Sequence, residues 1–118
     1  MKSLSLQSYS PIISDKTIGE RIYNEILGLD PKENMVEIDM AGIISMTTYC
    51  AKQIFGKLYK ELGPNLFEKN IILKKVSSDV LLIIKMGIKN AVLQQAWLGQ
   101  IPMSNVLENT YYGILFYK

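Results

Sequence analysis

The chain has 118 residues, 48% of them hydrophobic and 20% charged, which suits one buried core and is too apolar for a disordered tract. Thirteen basic and eleven acidic residues leave a net charge of +2, the lysines are scattered from Lys2 to Lys118, and Arg21 is the only arginine. The arginine-bearing basic patch of a nucleic-acid surface is therefore missing. With no histidine and only Cys50, the sequence also lacks the residues for His-based catalysis, a zinc site or an internal disulfide. The longest strongly apolar run, Val80 to Ile84, is broken by Lys85 and falls short of the roughly 20 residues of a membrane span. Residues 1–7 carry no apolar leader segment, and the expectation is a cytoplasmic protein without a cofactor.

Leu4 and Leu6 alternate with Ser3, Ser5 and Gln7, the pattern of a half-buried strand ended by Ser10-Pro11. Thr17 and Glu20 have the spacing of a capping box, and Ile18, Ile22, Ile26 and Leu29 share the face of a helix that Gly28, Asp30 and Pro31 end. Val36, Ile38 and Met40 alternate with Glu37, Asp39 and Ala41, giving a second strand with an oily face and a charged face. The charged face is expected to be solvated, with Lys74 or Lys75 as ionic partners. Parallel strands covered on both sides read as continuous apolar runs, so this alternation predicts helices mainly on one face of the sheet.

After a turn at Gly42, Ala51, Ile54, Phe55, Leu58 and Leu62 form a helical stripe, which Gly63-Pro64 stops. Ile71 to Leu73 make a third strand. Ser77 or Ser78 then caps a helix from about Asp79 to Trp97, whose first half is apolar nearly all round. That surplus calls for cover by a later segment or by another subunit. Beyond it, Gly99 to Pro102 reads as a loop and Tyr111 to Tyr117 as an aromatic strand. The expected organisation is one domain over 1–98 with a C-terminal extension over 99–118, packed on the same domain or on a second subunit.

Three stretches carry a family resemblance: Asp39-Met40-Ala41-Gly42-Ile43, then Met46-Thr47-Thr48-Tyr49-Cys50-Ala51, then Gln53-Ile54-Phe55-Gly56, with Gly19 early in the first helix. They resemble STAS-like domains of unknown function, relatives of the anti-sigma-factor antagonists, over about residues 3–93. The resemblance implies an α/β fold, a βαβαβα domain with a mixed or parallel sheet and helices mainly on one face, plus an extra C-terminal segment. It also implies a regulatory protein-binding role, with a histidine-kinase-like ATPase or an anti-sigma-type protein as partner. In the antagonists the equivalent turn reads Asp-Ser-Ser-Gly and carries a phosphorylated serine. Aligned here, Thr47 takes the place of the Asp, Thr48 that of the modified Ser, and Tyr49 and Cys50 those of the Ser-Gly, so the acid and the glycine are replaced.

Thr47 and Thr48 thus have two readings, a hydroxyl that caps the following helix and a phosphorylation switch at a helix N-terminus. Gly42, Ile43, Ser45, Thr47, Thr48 and Tyr49 are the candidate partner-binding residues. Cys50 reads as a small buried hydrophobe. Two other functional classes stay open: a small-ligand or nucleotide sensor binding anions at helix N-termini, and an assembly subunit or homodimer joined through the third helix and the aromatic tail.

Overall fold

The computed structural model describes residues 1–97. In chain order its elements are β1 (Lys2–Ser5), a 3-10 turn (Gln7–Tyr9), β2 (Ile12–Ile13), α1 (Lys16–Gly28), β3 (Val36–Asp39) and β4 (Ser45–Met46). They continue with α2 (Thr48–Ala51), a π-helical turn (Lys52–Gly56), α3 (Lys57–Leu62), α4 (Pro64–Asn70), β5 (Ile71–Lys74) and α5 (Ser78–Trp97). α2, the π turn and α3 follow one another without a break and act as one helix over 48–62.

The alternation in the sequence becomes a three-stranded sheet of order β1-β3-β5 in which both pairs are parallel. The register sets Leu4, Ile38 and Leu73 in one row and Ser5, Asp39 and Lys74 in the next. Val36, Ile38, Ile71 and Leu73 are buried, whereas Glu37, Asp39 and Ile72 are half-buried and Lys74 is exposed. One face therefore meets the core and the other stays polar, the asymmetry that a period of two encodes. Leu6 and Met40 lie just past their strands and are fully buried. Their amides extend the pairing: Leu6 N–H donates to Asp39 O at 3.0 Å and Met40 N–H to Lys74 O at 2.8 Å.

Helices supply the rest of the core through Ile22 and Ile26 of α1, Ile54 and Phe55 of the π turn, Leu58 of α3, Phe67 of α4, and Ile84 and Ile88 of α5. Tyr59 and Phe67 meet edge to face at 5.2 Å, a favoured geometry for two rings. No helix among the described residues is long and apolar enough to cross a membrane.

The structure corrects several local expectations. The N-cap of α1 is Asp15, not Thr17: Asp15 is extended and its carboxylate accepts the Thr17 N–H at 2.6 Å, so Thr17 already lies inside the helix. Gly63-Pro64 does end one helix, with Gly63 at φ +83, but Pro64 then opens α4. Proline suits a first helical position because the missing N–H is one the helix leaves unpaired there anyway. β2 and β4 form a second, two-stranded parallel sheet that the sequence reading did not foresee. Ser77 rather than Ser78 caps α5, its Oγ accepting from Val80 N–H at 3.2 Å. Among the described residues no ion pair joins Glu37 or Asp39 to Lys74 or Lys75. The loop at Gly99 to Pro102, the strand at Tyr111 to Tyr117 and the extension over 99–118 lie outside the described residues.

Candidate functional site

The loop between β3 and α2 is built by a chain of short-range bonds. Asp39 turns its carboxylate onto the Ala41 N–H at 2.9 Å, and Ile43 N–H donates to Met40 O at 3.1 Å, closing a four-residue turn. Its third residue is Gly42 at φ +84, a left-handed conformation that favours glycine. The chain is then stitched to the segment before α1: Ile44 N–H donates to Pro11 O at 2.8 Å and Thr47 N–H to Ile13 O at 3.0 Å. This pairing sets Ile12 beside Ser45 and Ile13 beside Met46.

Thr47 then starts the helix. Its extended backbone and its Oγ1, which accepts the Cys50 N–H at 3.1 Å, make it the N-cap and settle which of the two threonines fills that role. Thr48 is the first helical residue and is half-buried. Cys50 is fully buried, its thiol 3.6 Å from the Asp15 carbonyl oxygen, as expected of a small hydrophobe with a weak S–H donor.

The following turns hold this loop from behind. Gln53 Nε2 donates to Lys16 O at 2.9 Å, tying the π turn to the start of α1. On the other side α5 crosses so closely that a Cβ placed on Gly87 would lie 2.6 Å from both Ala51 C and Lys52 N. A Cβ on Gly56 would lie 2.8 Å from Ala91 Cβ. A π turn widens the backbone locally, and these two glycines let α5 nest against it.

The candidate residues divide by burial. Gly42, Ser45, Thr47 and Tyr49 are exposed and Thr48 is half-buried. Ile43 is buried, which corrects its reading as a contact residue: its side chain anchors the turn in the core. Two exposed apolar residues join the site without having been singled out, Ile44 at 66% and Ile12 at 53%, beside Tyr49 at 56%. Their signal was available as the adjacent pairs Ile12-Ile13 and Ile43-Ile44. In extended chain, neighbouring side chains face opposite ways, so one member of each pair is turned away from the core.

Among the described residues no cluster of three or more His, Cys, Asp or Glu side chains can hold a metal ion. The open groove along α1, lined by Thr17, Glu20, Arg21, Asn24 and Glu25, includes none of the turn residues. At one edge of this helix face the Tyr9 hydroxyl donates to the Glu25 carboxylate, a bond that raises the pKa of the phenol. The chemistry displayed at the turn is thus hydroxyl and apolar.

Parallel strands with one polar sheet face, followed by a hydroxyl-capped helix, agree with a STAS-like α/β fold. The chain belongs to the family described as STAS-like domain of unknown function (DUF4325), whose model matches residues 19–81. That match runs from the first turns of α1 to the first turn of α5 and includes the whole β3–α2 loop. No curated protein and no solved structure gives a significant match.

Proposed function

We propose that this protein is a non-catalytic regulatory module that docks a protein partner through residues 42–49 and the start of the following helix. The observation that carries the reading is the exposure of Ile12, Ile44 and Tyr49 around Ser45 and Thr47 on a loop fixed at both ends. Large apolar side chains grouped at a surface favour association, and hydroxyls among them give the contact direction. A preformed loop also loses little conformational freedom on binding. The resemblance to anti-sigma-factor antagonists supplies the partner class, a histidine-kinase-like ATPase or an anti-sigma-type protein in the cytoplasm.

Phosphorylation of Thr48 is the proposed switch. Thr48 opens the helix over 48–62, where backbone N–H groups and the dipole favour an anion, and its modification leaves the Thr47 cap intact. A phosphate would add about −1.5 to −2 charges beside an apolar contact surface. Thr47 is the alternative acceptor, at the cost of its capping bond.

The test is affinity purification from native cells with wild type and with an Ile44→Asp, Tyr49→Asp double variant, followed by mass spectrometry of captured proteins and of the Thr47–Thr48 peptide. The expected result is an ATPase or sigma-regulator protein held by wild type and released by the double variant at unchanged Tm, with phosphate on Thr48. Equal capture by both proteins would overturn the docking surface, and an unmodified peptide under all growth conditions would overturn the switch.

A further inference from the structure

The two edges of the three-stranded sheet are finished differently. β5 ends at the exposed Lys74, and Lys75 just past it turns left-handed at φ +56, so charge and a break in the extended backbone close that side. At the other edge β1 pairs with β3 alone among the described residues, in an unbroken register from Lys2 opposite Val36 to Ser5 opposite Asp39. Lys2 N–H donates to Met35 O at 2.8 Å and Leu6 N–H to Asp39 O at 3.0 Å, so the even-numbered residues aim their backbone groups at β3. Along a strand these groups alternate in direction. The N–H and C=O of Ser3 and Ser5 therefore aim away from the sheet, where they meet no backbone partner among the described residues. A proline, a bulge or a central charge commonly blocks such an edge, and residues 3–6 carry none of them.

The sequence at this edge is its own complement. Ser3-Leu4-Ser5 reads the same in both directions. Turned about a two-fold axis at Leu4 and laid antiparallel on itself, it sets Ser3 opposite Ser5 of the second copy, and Ser5 opposite Ser3, as pairs that exchange both N–H···O bonds. Leu4 then faces Leu4 of the second copy in a non-hydrogen-bonded pair with Cα atoms about 4.5 Å apart, the closer kind of side-chain contact. Leu4 is half-buried against the core, so this contact covers the part of it that its own domain leaves in water. On the polar face only small hydroxyl side chains meet. Each Lys2 falls opposite Leu6 of the other copy, which keeps the two Lys2 backbones on the order of 14 Å apart and opposes no like charges.

We infer that two copies of this chain join edge to edge through residues 2–6, as an antiparallel two-fold pair that fuses their sheets into one. The symmetry of the pattern about Leu4 selects a second copy over a foreign strand, because a two-fold interface brings the same patch of both subunits together. The inference is independent of the partner-binding reading, since none of these residues belongs to the β3–α2 loop.

Sedimentation of the full chain from low to high micromolar concentration should show a passage from monomer to dimer. Ser3→Pro is the discriminating variant. The N–H it removes is one that β3 does not use, and an edge strand tolerates proline where its N–H faces outward. Across the pair it removes a bond from each copy and sets a ring in the way, so the dimer dissociation constant should rise by roughly 100-fold or more, with the far-UV circular dichroism of the monomer unchanged. Cysteine cross-linking reads the register without relying on that variant: under mild oxidation Leu4→Cys should give a disulfide-linked dimer and Lys2→Cys should not, while Cys50 is buried. A monomer at every concentration would overturn the inference. So would a dimer that Ser3→Pro leaves intact, or one in which Lys2→Cys cross-links as readily as Leu4→Cys, since either result places the contact elsewhere.

Discussion

Residues 42–49 and residues 52–56 are neighbours in the chain, yet the fold treats them in opposite ways. The π turn is closed in on two sides, by α1 through Gln53 and by α5 through Gly87 and Gly56, and Ile54, Phe55 and Gly56 are all buried. The loop before it is also hydrogen-bonded, to Pro11, Ile13 and Met40, but leaves Ile44 and Tyr49 in water. Rigidity and exposure are therefore separate properties here. One end of the segment is enclosed by packing on two sides, while the other is held by its backbone, its cap and the buried Ile43 and Met46, which leaves Ile44 and Tyr49 free to serve something else.

This contrast is broken most directly at Gly87. Alanine in place of a helical glycine ordinarily stabilises by about 1 kcal/mol. Here the added methyl group meets backbone atoms at 2.6 Å, so Gly87→Ala should instead destabilise by about 2 kcal/mol or more. Thermal and urea denaturation would register this loss, and a neutral or stabilising result would mean that the helix crossing is not tight.

The packed end also has a pH signature. Burial, with a smaller contribution from the Glu68 charge, pushes the Tyr59 hydroxyl up to about 12. In the unfolded chain it titrates near about 10, so the folded state holds the proton more tightly. The resulting stabilisation is complete below pH 10 and is lost as pH rises toward 12, on the order of 2 kcal/mol in total. Urea unfolding from pH 8 to 12 should show this decline, and a Tyr59→Phe variant should show less of it.

At the loop end the effects are smaller. Thr47→Ala removes the cap bond to Cys50 N–H and should destabilise by about 1 kcal/mol, with Thr47→Ser recovering most of it. Equal stability of all three proteins would deny the cap its role. Smallest of all, Ile44→Ser combined with Tyr49→Ser should move stability by no more than about 0.5 kcal/mol, as for exposed positions in general. Loss of partner capture at that unchanged stability would sharpen the division between the two ends. A large drop in Tm would erase it.

Much of the scaffold was legible because long elements repeat their signal. Val36-Glu37-Ile38-Asp39 states both the strand and its one-sided burial, and Ile22 and Ile26 mark the buried face of α1. Short or competing signals were not. Two-residue strands such as Ile12–Ile13 have no period to read, and Gly63-Pro64 signals an end and a beginning equally well. Asp15 and Thr17 are both good caps two residues apart, so only the backbone decides between them. The π turn leaves almost no trace in composition. The glycine that packs against its start, Gly87, lies thirty or more residues away and has meaning only once α5 has packed. At the candidate site, Gly42 and the threonine cap were readable from local chemistry. The outward turn of Ile44 and the inward turn of Ile43 depend on the pairing of β4 with β2, a contact with a distant segment.

The parallel strand pairing has a consequence for how the protein is made. Lys2 stands opposite Val36, Ile12 opposite Ser45, and Val36 opposite Ile71, so each strand waits for a partner more than thirty residues away. No hairpin can nucleate either sheet, and closure of the long crossovers has to come first. On the ribosome, Met40 obtains its sheet bond only when Lys74 has emerged, and the π turn obtains its cover only when Gly87 has. The loop over 42–49 finds its own partners, Pro11, Ile13 and Met40, already synthesised when it emerges, so it can take shape before the helix behind it is covered.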